Sequence, residues 1–63
     1  MTKEQMWAEY EKLRQIKICA NVAEQRAIVR EDLEGVRLAR ELFDETAGRM
    51  GKLIADWYCN RIP

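Results

Sequence analysis

The chain has 63 residues, of which 11 are basic, 11 acidic and none histidine, so its formal charge is zero. That balance removes the strongest electrostatic argument for nucleic acid or an anionic membrane, and the missing histidine removes the commonest general base and zinc ligand. No apolar run approaches the roughly 18 residues that span a bilayer; a long stretch such as Leu53-Ile54-Ala55 is closed by Lys52 and Asp56.

A single proline, Pro63, and an abundance of Ala, Leu, Glu, Lys, Arg and Gln predict an all-α fold with no strand. The uniform composition reads as a single small helical domain over residues 1–63, with a first helix at about 3–31, a turn at about 32–35 and a second helix at about 36–60. The first helix starts near Lys3, because Thr2 can cap its amides while Gln5 reaches back as in a capping box. Met6, Tyr10, Leu13, Ala20, Ala23 and Ala27, with Ile16 flanking, then recur at helical spacing and predict one buried face.

Gly35 is the expected break, since glycine takes the left-handed conformation at a helix end cheaply and Val36 could supply the contact of a Schellman-type cap. Glu31, Asp32 and Glu34 fit this poorly, because anions are disfavoured at the carboxyl end of a helix; they suit the start of the next one. The rival break is Asn21, which forms a second capping pattern with Glu24.

A second series, Val29, Leu33, Val36, Phe43, Ala47, Met50, Ile54 and Trp57, forms a second stripe, interrupted at Arg40 with Ala39 beside it. The two stripes differ in heptad phase, so one uninterrupted coiled coil is excluded. Gly48 and Gly51 either kink this helix or mark close packing. Folding at Gly35 is expected to set Tyr10 near Trp57 and Tyr58, Leu13 near Ile54, and Ala23 near Phe43.

An antiparallel hairpin buries one stripe per helix and leaves Ile18, Val22, Ile28, Val29, Leu38, Leu42 and Leu53 without cover. Dimerisation of two hairpins into a four-helix bundle would cover them. The alternative is a monomeric three-helix bundle with breaks near Asn21 and near Gly48 to Gly51. The interface residues predicted on this basis are Trp7, Tyr10, Ile18, Val22, Leu38, Leu42, Leu53, Trp57 and Tyr58, the aromatics serving either as a plug for the open end or as binding anchors.

Cys19 and Cys59, far apart and unaccompanied by histidine, are read as reduced thiols packed between helices, and the charged residues near the start lead to the expectation of no secretory leader. The expected setting is therefore the cytoplasm. No catalytic constellation, cofactor motif or metal site is legible, so the chain is expected not to be an enzyme. Arg26, Arg30, Arg37 and Arg40 form a candidate nucleic-acid patch near the turn, disfavoured because Glu31, Asp32, Glu34 and Glu41 neutralise it and no stacking aromatic accompanies it. The expected function is a small protein-protein interaction module, a regulator, adaptor or inhibitor, with itself and another protein as partners. A nucleic-acid-binding homodimer and a purely structural oligomerisation element are the alternatives.

Overall fold

The computed structural model describes residues 1–59 and shows two helices, α1 (Lys3–Val29) and α2 (Leu33–Cys59), packed side by side as an antiparallel hairpin. The expected end of the second helix at Asn60 lies outside the described residues. α1 begins as its sequence requires: the Thr2 hydroxyl accepts from the Gln5 amide at 3.1 Å, and the Gln5 side-chain oxygen accepts from the Thr2 amide at 2.8 Å. The helix then runs unbroken through Asn21, which removes that position as a break; α2 likewise runs unbroken through Gly48 and Gly51.

The reversal occupies Arg30 to Asp32 rather than residues 32–35, and Gly35 sits inside the first turn of α2. The Asp32 amide donates to the Ala27 carbonyl at 2.9 Å and the Glu31 amide to the Ile28 carbonyl at 3.1 Å. This crossed pair is a Schellman motif, and its left-handed residue is Glu31, with φ at 56°, not a glycine. Asp32 closes α1 and opens α2 at once: its carbonyl accepts from the Val36 amide at 3.0 Å, and its carboxylate accepts from the Gly35 amide at 3.0 Å.

What Gly35 supplies is room. A Cβ there would lie 2.6 Å from the Asp32 carboxylate and 3.2 Å from the Ala27 methyl, so a side chain would push the cap aside. Gly48 and Gly51 make no comparable approach; the space beside both is open. Neither of the roles expected of them is visible within the hairpin.

These assignments are checked by urea unfolding at fixed protein concentration. Glu31→Gly removes the side-chain penalty of the left-handed conformation and is expected to stabilise the fold by about 1 kcal/mol. Gly35→Ala is expected to destabilise it, although alanine is the better helix former, because it displaces a cap worth about 1 kcal/mol.

Candidate interaction surface

Both helices bury a seam with alternating steps of three and four residues. On α1 Met6, Leu13, Ala20 and Ala27 are buried, with Tyr10, Lys17 and Glu24 half-buried between them. On α2 Ala39, Thr46 and Met50 are buried and Val36, Phe43, Leu53 and Trp57 complete the series, with Ala47 and Ile54 half-buried along one edge. The expected stripes are thus shifted. Ala23 and Ile16 lie outside the α1 seam, Val29 and Leu33 are more than four-fifths exposed, and Thr46 and Ala39 are buried.

The seam's polar members explain why it is hard to read. Lys17 lays its ammonium 5.1 Å from the centroid of the Phe43 ring, so that its stem covers the seam while its charge meets an aromatic face. Lys17, not Ala23, is the residue found over Phe43. Glu24, whose side chain is only 17% exposed, accepts from Arg40 Nε at 3.0 Å across the helix pair. Together with the approach of Ala27 to Gly35, these contacts set the register: Cys19 comes level with Leu42, and Ala23 with Leu38 and Ala39.

With 3.6 residues per turn, positions seven apart form columns on either side of the seam. One broad face of the hairpin carries Glu9, Ile16, Ala23 and Arg30 beside Gly35, Leu42, Arg49 and Asp56, with Cys19 and Leu38 further out. Two shallow grooves mark this face, one joining Ala23, Arg26 and Arg30 to Gly35, the other joining Glu9 to Arg49, Lys52 and Asp56. Its turn-side half, around Ile16, Cys19, Ala23, Leu38 and Leu42, is apolar, and its open-end half carries Glu9, Glu45, Arg49, Lys52 and Asp56. The opposite face carries Trp7, Arg14, Asn21 and Ile28 beside Leu33, Arg40, Ala47 and Ile54, and a groove joins Ile28, Leu33 and Arg40 there. Its centre is polar.

The predicted interface residues are therefore distributed, not gathered. Leu38 and Leu42, 51% and 45% exposed, belong to the first face. Ile18 and Val22 lie on the outer side of α1, where Val22 lines a groove with Gln25 and Val29, and both also border the groove that joins Ala23 and Arg26 to Gly35. Leu53, Tyr10 and Trp57 are half-buried in the seam, and Tyr58 is exposed. At the open end Trp7 meets Tyr10 edge to face, with ring centroids 5.4 Å apart.

The four arginines are also divided. Arg37 donates to Glu34 at 2.6 Å and to Glu41 at 2.7 Å, and these carboxylates, Glu34 first, raise its pKa further above the ordinary arginine value. Arg40 serves Glu24 at the seam, while Arg26 and Arg30 flank the groove beside Gly35 on the first face. Elsewhere Arg49 pairs with Glu45 at 2.7 Å, and Glu11 takes the Gln15 amide and the Arg14 guanidinium. Those two donors, Gln15 first, hold the Glu11 carboxyl below the usual value, so its share of helix stability is complete at neutral pH and is lost as pH falls through the lowered value.

Both thiols, Cys19 and Cys59, are exposed and free, not packed between helices as their residue type suggested. Among the described residues no group of three or more His, Cys, Asp and Glu is placed to hold a metal ion, and no helix is long and apolar enough to cross a membrane. Comparison with protein-family models, with curated proteins and with solved structures finds no match to the chain.

The division of the arginines has a measurable consequence. Arg40→Gln should destabilise the fold by about 0.5 to 1 kcal/mol, an effect that shrinks in high salt, since it leaves a largely covered carboxylate without its ion pair. Arg26→Gln and Arg30→Gln, read by the same urea unfolding, should leave stability unchanged.

Proposed function

We propose that this chain is a helical protein-protein interaction module that works as a paired hairpin and acts without catalysis, as a regulator, adaptor or inhibitor. The observation that carries the reading is the set of large aliphatic side chains left in water: Ile16, Ile18, Val22, Ile28, Leu38 and Leu42 are each between 43% and 51% exposed. Domains usually bury their apolar surface between packed layers, and this hairpin is a single layer, its Cα atoms spanning 50 × 17 × 11 Å. Its radius of gyration is 14.7 Å, against about 10.6 Å for a compact domain of this length.

A free surface of this kind is an interface in search of its other half. Pairing with a like chain and capture of an unlike protein are compatible, because the two broad faces differ in character and one can be covered while the other stays open. Two exposed thiols favour a reducing compartment such as the cytoplasm, where they would remain unpaired. The separation of Arg26 and Arg30 from Arg37 and Arg40 gives the nucleic-acid alternative no contiguous basic surface to rest on.

The test is sedimentation or light scattering across a concentration series, with circular dichroism to confirm helix. The expected result is a folded species of twice the 7.5 kDa chain mass. A stably folded monomer at all concentrations would sink the paired-hairpin reading and leave both faces to an unlike partner.

A further inference from the structure

We propose that the second copy docks on the face centred on Ile16, Cys19, Ala23, Leu38 and Leu42, with its turn at the same end, so that α1 of each copy lies on α2 of the other. The inference rests on the paired-hairpin reading and adds to it a surface and an orientation.

The area fits a second copy. The hairpin exposes 5008 Å², whereas a folded monomer of 7.5 kDa exposes about 4,250 Å². The excess, about 750 Å², matches the roughly 800 Å² that each partner contributes to an interface of standard size.

The choice of face follows from what each would have to desolvate. The centre of the opposite face holds Arg14, Asn21 and Arg40, so covering it would strip water from the Arg40 guanidinium and from the Arg14 to Glu11 pair. The proposed face carries its charged side chains, Glu9, Glu45, Arg49, Lys52 and Asp56, in its open-end half, whereas its turn-side half presents Ile16, Cys19, Ala23, Leu38 and Leu42 as one apolar patch bordered by Arg26 and Arg30.

Orientation follows from register. Two hairpins can stack face to face about a two-fold axis with full overlap in two ways. With turns at opposite ends, each helix lies on its own copy, and pairing about the hairpin's midpoint sets Leu42 against Arg49, Leu38 against Lys52 and Ala23 against Glu9. With turns at the same end, α1 lies on α2 of the second copy at an unchanged level, because Cys19 is already level with Leu42 and Ala23 with Leu38. The small residues of one copy then receive the leucines of the other, and Glu9 comes level with Lys52 of the second copy. Small against large permits interdigitation, while leucine against a charged side chain does not.

Two measurements on the full chain test this. Leu42→Glu, which places an uncompensated charge in the apolar half of the interface, should weaken dimerisation by about 100-fold or more, whereas Asn21→Glu at the centre of the opposite face should leave it unchanged. Because Leu42→Glu acts on an exposed side chain, its helix content should persist by circular dichroism. The second measurement holds even if that variant fails to fold: in a Cys59→Ser background, a 1:1 mixture of chains whose one thiol is Cys19 with chains carrying Leu42→Cys and Cys19→Ser should be joined by a short bis-maleimide into a covalent dimer of one chain of each kind, a product that neither kind gives alone. A wild-type chain that is monomeric sinks the pairing itself. A wild-type dimer that resists Leu42→Glu, dissociates with Asn21→Glu or gives no such mixed product keeps the pairing and overturns this face and orientation.

Discussion

The reversal at Arg30 to Asp32 governs the rest of the molecule, because it ends one helix and begins the next with no residue between the two tasks. Asp32 donates its amide to the last turn of α1 and offers its carbonyl and carboxylate to the first turn of α2. A loop this short leaves no freedom of register. Once Ala27 and Gly35 touch, the level of every later pair along the hairpin is set, and so is the identity of the side chains that face each other. The left-handed backbone at Glu31 is the local strain that accompanies this economy of chain.

Along the seam, packing and polarity act together. Met6, Ala20 and Thr46 are almost fully enclosed, yet the seam also admits Lys17 and Glu24, each with a specific partner on α2. Such residues contribute little net stability on a surface this open, since ion pairs near water are worth at most about 1 kcal/mol. Their effect is on specificity: sliding one helix by a turn would bury an ammonium without its ring and a carboxylate without its guanidinium. Polar groups at seam positions are a known means of fixing register.

The same geometry explains why large aliphatic side chains stay exposed. Two helices can bury one stripe each against one neighbour, and the large aliphatics of this chain occupy more than one stripe. The exposed remainder divides between two unlike faces, one with an apolar patch in its turn-side half and one with Arg14, Asn21 and Arg40 at its centre. At the open end Trp7, on the face with the polar centre, meets Tyr10 of the seam.

The helical class, the capped start at Thr2 and the folding of the chain back on itself were determined by the sequence alone, because each depends on local chemistry: propensity, a capping box and a change of heptad phase. The apolar residues Met6, Leu13, Ala27, Phe43 and Met50 were legible as core for the same reason. The position of the break was not, since a glycine is the usual signal for a left-handed residue; here Glu31 takes that conformation and Gly35 provides close approach instead. Lys17, Glu24 and Thr46 were invisible as seam residues, because what makes their burial tolerable is a partner on the other helix or a cover of neighbouring side chains. Only the tertiary structure could decide which helix faces carry Leu38 and Leu42 together with Cys19 and Ala23, for that depends on how the two phases are joined across one tight turn.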